Sequence, residues 1–250
     1  MRKIIFILII LFLCWLLIEI YCRIPNQFEV TKFDIPSKTE NIVILFHGIG
    51  DSQNTELKAI SDQFKIDLSS FPNSQIINYN WSYANSYLKA SANGIKIGSI
   101  LGLATLNYKE LKYIRIISHS AGAFIAEAFC EAYKSKGGIA YLEINFLDPF
   151  GLKGFSDLNY GARSHGKCAD FSSSIINTDD SAPTTNTMLK NAWNVDITDL
   201  EPPKNFNRSD HYFPPLYFLL SMNKNTAQLI KKNHNIYPRG DIFYAPALLR

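Results

Sequence analysis

The stretch at residues 113–129 changes abruptly from the pattern of a buried strand to that of a helix. Residues 113–117 are mostly β-branched and apolar, which is typical of a strand inside a parallel sheet. From Ala121 the chain is rich in helix formers, and Phe124 and Ala128 recur at helical spacing. A strand that must become a helix within a few residues predicts an α/β fold.

Ser120 stands at the apex of this join, in the Ser-His-Ser-Ala-Gly sequence of residues 118–122. A serine there lies above the sheet edge with a helix N-terminus behind it, where a developing oxyanion is favoured. This is the geometry expected of a nucleophile elbow, although Ser118 stands where such an elbow usually has its first glycine. A serine-rich turn would give the same letters, but the flanking strand and helix favour a catalytic Ser120. We expect His119 to pack beside the elbow.

The composition excludes several classes of protein. The chain has 250 residues, 47% of them hydrophobic, which is enough for one sizeable core but too few for two comfortable domains. The formal net charge is only +3, and the sequence has no stripe of basic residues interleaved with aromatic residues. Both observations argue against nucleic acid as a partner. The four cysteines give neither a metal signature nor a disulfide framework. The serine chemistry considered below implies no metal and no organic cofactor. A bridge involving Cys168 would need a compartment outside the cytosol.

The chain begins with two cations, Arg2 and Lys3, followed by a long apolar run. As a helix, residues 4–22 would reach about 28 Å, which is close to the hydrocarbon depth of a bilayer. No pair of small residues marks a cleavage site, so an uncleaved membrane anchor is favoured over a cleaved secretory signal. Glu19 would then lie near the far interface, within reach of water.

The two leading cations also predict an orientation. Arg2 and Lys3 would stay in the cytoplasm, which places the rest of the chain in the periplasm or outside the cell. Cleavage would instead give a secreted protein. We therefore divide the chain into a signal anchor or signal peptide at 1–22, a linker or stalk at 23–40 with one edge strand around 28–34, and a single α/β domain at 41–250.

A glycine-containing loop follows the predicted strand at residues 41–46. It reads His47-Gly-Ile-Gly, and its glycines free the backbone so that an N–H group can point inward, as in an oxyanion loop. A glycine turn after any strand would look similar, but the serine elbow downstream favours the functional interpretation. His47 precedes the nucleophile at a strand end, so we expect it to shape the loop rather than act as the base.

Three further elements are predicted between this loop and the elbow: a helix at 54–68, a strand at 74–79 and a helix at 87–106. The last helix carries glycine every four residues on one face, at positions 94, 98 and 102. Membrane helices use this spacing to dimerise, but Lys96 and the short apolar length argue against a second membrane span. We expect this face to pack closely on the sheet.

A serine hydroxyl becomes a nucleophile when a histidine takes its proton and a carboxylate orients that histidine. After an elbow of this kind, the chain order is serine, then carboxylate, then histidine. Asp148 follows the predicted strand at 141–147 and precedes a proline, which makes it the favoured carboxylate. Asp179 and Asp180, after an apparent strand at 172–177, are the rivals.

Three histidines follow the favoured aspartate. His165 lies in a glycine-rich loop before the last strands, and His234 lies at a basic helix end that is expected to face solvent. His211 follows the predicted strand at 192–198 and begins a loop that enters the final helix. Its position makes His211 the preferred base.

With these residues assigned, the chain resembles the pancreatic-lipase-like branch of the α/β-hydrolases. Residues 46–51 are similar to the oxyanion segment of that branch, 119–123 to its nucleophile motif and 147–149 to its catalytic aspartate motif, while 167–179 resemble the segment that comes next. The resemblance covers about residues 41–220. It implies an α/β-hydrolase fold, with a mostly parallel central sheet and helices on both faces, preceded here by an N-terminal hydrophobic helix.

The resemblance also implies the roles of particular residues. Ser120 would be the nucleophile, Asp148 the orienting carboxylate and His211 the base. Backbone N–H groups of Ile49 and Ala121 would form the oxyanion hole. The implied protein is a lipase-like or esterase-like serine hydrolase that takes a small-molecule or lipid ester as substrate and contacts the membrane through its N-terminal helix.

This chain departs from the branch in three ways besides Ser118. The cysteines near the histidine are missing, and we expect no β-sandwich domain to follow. Residues 199–210 leave little room for the lid of a triglyceride lipase. A short-chain ester, a lysophospholipid or another carboxylic ester therefore fits better than a long-chain triglyceride. The alternatives are an amidase or thioesterase with the same triad, or a non-catalytic membrane-tethered binding module.

Overall fold

The computed structural model describes residues 2–52, 54–69, 73–84, 86–222 and 238–244. In this part of the chain, seven strands form one sheet in the order β2-β1-β3-β4-β5-β6-β7, and every neighbouring pair is parallel. The strands are β1 (Asn41–Phe46), β2 (Ser74–Tyr79), β3 (Tyr113–His119), β4 (Tyr141–Leu147), β5 (Phe171–Ile176), β6 (Trp193–Asp196) and β7 (Ile242–Tyr244). The helices are α1 (Arg2–Arg23), α2 (Thr55–Asp67), α3 (Ala90–Thr105), α4 (Gly122–Ser135), α5 (Tyr160–Ser164) and α6 (Phe213–Met222).

Helices cover both faces of the sheet, because side chains alternate between the faces along each strand. Ile44 and Phe46 of β1 pack with α3 and α4 in one buried cluster. Val43 and Leu45 of the same strand pack with α2 and α6 in a second cluster. The predicted α/β class is confirmed: a parallel central sheet carries helices on both faces, and a hydrophobic helix precedes it.

The sheet register brings the carboxyl ends of four strands to one edge. Phe46 pairs with Ser118, His119 with Leu147, and Leu147 with Ile175. The loops that follow β1, β3, β4 and β5 therefore leave the sheet side by side. In an open α/β sheet this edge is where ligands bind.

Most predicted elements agree with the structure to within a few residues. The strands at 41–46, 74–79 and 141–147 have the predicted bounds, and Asn54 caps α2 by accepting a hydrogen bond from the N–H of Leu57 at 2.8 Å. The strand that leads to the elbow runs on to His119. The other predicted elements are each shorter or shifted at their ends, and β7 was not predicted.

The edge strand expected around 28–34 was wrong, because residues 24–40 contain no strand. Val30 and Phe33 are instead buried in the same core cluster as α3 and α4. The carbonyl of Phe33 accepts a hydrogen bond from the Tyr108 hydroxyl at 2.9 Å. This segment lies against the domain, and side chains satisfy its backbone where a neighbouring strand would otherwise do so.

The glycine face of α3 packs on α4, not on the sheet as expected. A Cβ at Gly98 would lie 2.2 Å from the carbonyl oxygen of Ile125, and one at Gly102 would lie 2.3 Å from that of Phe129. No side chain larger than hydrogen fits at such distances. The two helices therefore touch backbone to backbone, and α4 begins at the elbow.

The apolar helix α1 is 22 residues long and is the one helix, among the described residues, that is long and apolar enough to cross a membrane. Its last turn contacts the domain. Glu19 was expected to reach water, but it is only 7% exposed and accepts a hydrogen bond from the N–H of Phe155 at 2.8 Å. Glu19 also pairs with Arg23.

A disulfide joins Cys130 on α4 to Cys168, which precedes β5, with their Cα atoms 6.0 Å apart. The sequence left the partner of Cys168 open. Cys14 and Cys22 of α1 are free. The bridge ties the elbow helix to the loop that leads into the next strand of the sheet.

Candidate active site

Ser120 occupies the turn between β3 and α4 with a φ of +53°, in the left-handed region that costs a non-glycine residue energy. Two hydrogen bonds hold it there. Its N–H donates to the carbonyl of Leu147 at 3.1 Å, and its carbonyl accepts from the N–H of Phe150 at 3.1 Å. The elbow is therefore fixed to the end of β4, and the half-buried serine stands at the strand-end edge.

The loop after β1 lies directly against this serine. A Cβ at Gly48 would come within 2.9 Å of the Ser120 Cβ and 3.4 Å of its Oγ, so only glycine lets the loop approach so closely. A Cβ at Gly122 would lie 2.6 Å from the carbonyl oxygen of Phe46, which brings the start of α4 equally close to the end of β1.

This approach leaves two backbone amides near the elbow without acceptors. Within the described residues, the N–H groups of Ile49 and Ala121 donate to no protein atom. Ala121 is the N-cap residue of α4, where the helix dipole adds partial positive charge. Free N–H groups on either side of a serine are the chemistry that an oxyanion hole requires.

His47 shapes the loop after β1, as its sequence position predicted. Its Nδ1 donates to the carbonyl of Gly48 at 2.7 Å, and its Nε2 accepts from the N–H of Trp81 at 3.1 Å. Burial lowers the pKa of His47, which keeps the imidazole neutral for these two bonds. The Trp81 indole N–H also donates to the His47 carbonyl at 2.7 Å.

Asp148 follows β4 and, like Ser120, has a left-handed backbone, with a φ of +49°. Its side chain is fully buried, and its Oδ2 lies 2.7 Å from Nδ1 of His211. Its other oxygen accepts from the N–H of Asn177 at 3.3 Å. The aspartate and the histidine that the sequence selected are therefore in direct contact.

A second carboxylate shares the same imidazole nitrogen. Oδ2 of Asp180 lies 3.0 Å from Nδ1 of His211 and also accepts from the Thr185 hydroxyl at 2.6 Å. The sequence offered Asp180 only as a rival to Asp148, whereas the structure brings both to the histidine. Asp179, the other rival, is exposed, and within the described residues its side chain forms no hydrogen bond or ion pair with this cluster.

The charges of this cluster shift one another. Burial raises the pKa of Asp148 to about 7, against the hydrogen bond from His211. Burial opposes the ionisation of Asp180 too, but hydrogen bonds from His211, Asp148 and Thr185 hold its pKa well below the usual range. Burial would lower the pKa of His211, yet its bonds to the two carboxylates raise it to about 9.

His211 lies in a short turn, Asp210–Tyr212, immediately before α6. His119 supports this turn: its Nε2 donates to the His211 carbonyl at 3.0 Å, and the two rings lie 4.5 Å apart between centroids. Since His119 precedes Ser120 in the chain, the elbow and the histidine turn are neighbours. His119 thus packs beside the elbow, as expected.

Nδ1 of His211 binds the carboxylates, which leaves Nε2 as the nitrogen able to serve a nucleophile. Among the described residues no hydrogen bond joins His211 to the Ser120 hydroxyl. In unliganded active sites such bonds are often long and tighten only when substrate binds. The ligand atoms of Asp148, Asp180 and His211 lie within 4.8 Å of one another, a spacing that a metal ion could also use.

Arg208 fixes the segment before the histidine, a role that its sequence position did not reveal. Its guanidinium pairs with Glu56 on α2, donates to Thr55 Oγ1 at 3.1 Å and lies 3.4 Å from the ring centroid of Tyr212. It also approaches Asp51 at 3.7 Å. The turn that carries His211 is thereby attached to α2.

The rival His165 falls outside this arrangement. His165 is fully buried, its Nε2 donates to the carbonyl of Phe150 at 3.1 Å, and its ring packs against Phe124 and Phe146. Burial lowers the pKa of His165 to about 4. It is a core residue that supports the loop after Asp148. His234 lies outside the described residues.

No protein-family model matches the chain, and no curated protein matches it either. Among solved structures, the chain is similar to the crystal structure of lipase B from Aspergillus fumigatus, with 14% sequence identity and a TM-score of 0.37. The match covers 58% of this chain and 40% of that one, so the chain spans less than half of that lipase. A likeness at this level supports no inference about function.

Proposed function

We propose that the protein is a serine hydrolase that cleaves carboxylic esters through an acyl-enzyme, in the manner of the lipase-like α/β-hydrolases. The observation that carries the proposal is the 2.7 Å contact between His211 Nδ1 and Asp148 Oδ2, beside the strained turn that bears Ser120. The two free amides at Ile49 and Ala121 add the electrostatic component that acyl transfer needs.

In the proposed reaction, Ser120 Oγ attacks the ester carbonyl while His211 Nε2 takes the hydroxyl proton. Asp148 orients the imidazole and stabilises its charged form. The N–H groups of Ile49 and Ala121 hold the negative oxygen of the tetrahedral intermediate. His211 then protonates the leaving alcohol, and a water molecule, activated by the same base, releases the acid from Ser120. The proposed reaction uses no metal or organic cofactor.

The substrate class is proposed from the chain around the histidine. Residues 199–210 hold no helix that could serve as a lid, and Arg208 attaches this segment to α2. An open site suits short-chain acyl esters or single-chain lipid esters such as lysophospholipids. A role in lipid metabolism follows from the second of these classes.

The proposed location is the outer side of a membrane, with α1 as an uncleaved anchor. The helix has the length and hydropathy for one span, and two cations precede its apolar run. The Cys130–Cys168 disulfide supports an oxidising compartment such as the periplasm or the exterior. Cleavage of α1 would give the alternative, a secreted enzyme.

Covalent labelling with a fluorophosphonate probe tests the proposal. The full-length protein should be labelled and should hydrolyse short-chain p-nitrophenyl esters, and Ser120→Ala should lose both properties without a change in its thermal unfolding transition. Ser135→Ala is the matched control, because this exposed hydroxyl lies at the far end of the same helix and bonds only to the carbonyl of Ala132.

Three results would contradict the proposal. If the probe labels Ser120→Ala as strongly as the wild type, Ser120 is not the nucleophile. Full loss of ester hydrolysis with a chelator would favour a metal site at Asp148, Asp180 and His211. A well-folded wild-type protein without labelling or hydrolysis would favour a binding module. Faster cleavage of matched amides or thioesters would keep the triad and change the substrate class.

A further inference from the structure

The end of α1 is attached to the domain and not joined to it through a free linker. The Glu19 carboxylate accepts a hydrogen bond from the N–H of Phe155. The ammonium of Lys89 lies 4.0 Å from the ring centroid of Tyr21. Cys22, in the same turn, is fully buried. If α1 spans a bilayer, these contacts hold one side of the domain at the depth of the lipid headgroups.

A cavity of about 300 Å³ opens on this side, between the end of α1 and the first half of α3. Three of the residues that line it are cations, namely Arg23, Lys96 and Lys153. Ser91 contributes a hydroxyl, and the remaining lining is small or apolar. The cavity therefore combines positive charge with a position next to the proposed membrane span.

Carboxylates do not neutralise the two lysines. Lys96 Nζ donates to the carbonyls of Asn26 and Phe28, each at 3.1 Å, and Lys153 Nζ lies 4.2 Å from the ring centroid of Tyr160. Neither lysine forms an ion pair within the described residues.

Nearby carboxylates are already committed to other cations. Glu19 pairs with Arg23, and Asp157, close to Lys153 in the chain, binds Arg163 through both oxygens at 2.9 Å. The cavity thus keeps an excess of positive charge. The carbonyls and aromatic rings use only some of the hydrogen-bond donors of the two lysine ammonium groups. An anion with several acceptor oxygens would accept hydrogen bonds from the others.

We propose that this cavity binds the phosphate of an anionic phospholipid headgroup. Basic pockets beside membrane spans at headgroup depth attract such lipids. Ile20 and Ile24, which are exposed at 46% and 55%, lie at the same end of α1, where acyl chains would run. The proposal rests on α1 being the membrane anchor of the proposed function, and it does not depend on catalysis by Ser120.

Native mass spectrometry of the full-length protein in detergent tests this proposal, with phosphatidylglycerol and phosphatidylcholine added in equal amounts. The wild type should retain phosphatidylglycerol preferentially. Lys153→Gln and Lys96→Gln should each reduce that retention about fivefold, as expected for the loss of one cation near an anionic lipid. The double variant Lys109→Gln/Lys136→Gln is the control, because both lysines are exposed and lie outside the cavity lining.

Lys96 also holds the carbonyls after α1, so its loss can disturb folding, and thermal unfolding is measured for each variant. If Lys96→Gln proves to be unfolded, the result for Lys153→Gln alone decides the test. Equal retention of the two lipids, or equal loss in the control, overturns the proposal. Displacement of phosphatidylglycerol by inorganic phosphate at similar concentration also overturns it, in favour of a site for free phosphate.

Two further measurements separate this proposal from the proposed function. Alkaline carbonate extraction of cell membranes reports whether α1 is an anchor, whatever the cavity binds. Fluorophosphonate labelling reports the state of Ser120, and the Lys153→Gln variant should keep it unchanged. A wild-type protein that shows no lipid preference, although anchoring and labelling are intact, would refute the cavity assignment alone.

Discussion

Nδ1 of His211 lies 3.0 Å from Oδ2 of Asp180, although Asp148 already occupies the same nitrogen at 2.7 Å. One N–H cannot be donated fully to two acceptors. The two buried carboxylates therefore share the hydrogen bond from this nitrogen of the imidazole. Asp148, at the end of β4, is the shorter contact, and we assign it the orienting role in the proposed triad.

Asparagine substitutions separate the two carboxylates. Asp148→Asn should lower kcat by about 10³–10⁴, because the amide no longer fixes the tautomer that leaves Nε2 free to take a proton. Asp180→Asn should lower kcat less than about tenfold, since Asp148 keeps the nitrogen oriented. Steady-state kinetics on a short-chain ester gives both values.

Asp179→Asn is the matched control for these variants, because it removes the same charge from the neighbouring exposed residue. Its kcat should equal that of the wild type. A larger loss in Asp180→Asn than in Asp148→Asn would exchange the two roles. Wild-type activity in both variants would refute the triad.

We also expect the acidic cluster to determine the pH dependence of the proposed hydrolysis. Its two carboxylates raise the pKa of His211 from an ordinary 6.5 to about 9, so the base is free only as the pH rises towards that value. The kcat/KM profile should therefore climb through neutral pH and level off in the alkaline range. Asp180→Asn removes a negative charge, lowers the pKa of His211, and should move the rising limb to lower pH by about 1–3 units.

The pH–rate profiles of both proteins on one uncharged ester check this prediction. His119 faces the same imidazole, and its own pKa is lowered by burial, so it adds no positive charge in this range. A limb that moves to higher pH in Asp180→Asn, or that stays in place, would exclude Asp180 as a partner of the titrating base.

We expect Arg208 to affect the proposed catalysis through the position of the histidine turn. Arg208→Gln removes the ion pair with Glu56 and the contact with Tyr212. Because small displacements of a base slow proton transfer strongly, kcat should fall about tenfold to a hundredfold while KM changes little. Glu56→Gln should reproduce part of this loss.

Arg163→Gln provides the comparison for Arg208. Arg163 forms a bidentate pair with Asp157 far along the chain from the histidine turn, and its loss should leave kcat unchanged. A change in KM alone in Arg208→Gln would mean that the arginine binds substrate and does not position the turn.

The disulfide should contribute to stability. Reduction of the Cys130–Cys168 bridge, which closes a loop across 38 residues of sequence, should destabilise the domain by about 2–4 kcal/mol. Thermal or urea unfolding with and without a reductant measures this difference. Cys130→Ser/Cys168→Ser should unfold at the reduced midpoint and no longer respond to reductant, and an unchanged midpoint in the reduced wild type would contradict the prediction.

The part of the site that the sequence predicted is the part that the sheet positions. Ser120 and Asp148 directly follow β3 and β4, and in a parallel sheet the carboxyl ends of neighbouring strands meet at one edge. The order of residues along the chain was therefore sufficient to bring them together. His211 was selected by elimination among three histidines, and its contact with Asp148 agrees with that choice.

The contacts of the site that the sequence did not predict depend on the fold of the loops. Asp180 reaches His211 because Thr185 and the N–H of Ala182 fold the chain after β5 back on its carboxylate. Arg208 reaches Glu56 across 152 residues of sequence. No periodicity or motif encodes either contact, since both depend on how the loops fold in the tertiary structure.

The predicted edge strand failed for a related reason. Residues 28–34 include aromatic and β-branched side chains that favour a strand, but a strand also needs an open sheet edge beside it. The hydroxyls of Tyr79 and Tyr108 instead bind the carbonyls of Thr31 and Phe33, each at 2.9 Å. Side chains of the domain thus take the place of the hydrogen bonds that a neighbouring strand would make. The local sequence pattern alone could not reveal this.

The backbone contact between α3 and α4 bears on how this chain can vary among its relatives. A methyl group at Gly98 or Gly102 would meet a carbonyl of α4 and lift that helix away, together with the turn at its head. These two glycines have no role in the proposed reaction, yet selection for the proposed hydrolysis would restrict them as severely as Ser120. A saturation library screened for activity would therefore show two intolerant sites that form no part of the reaction centre.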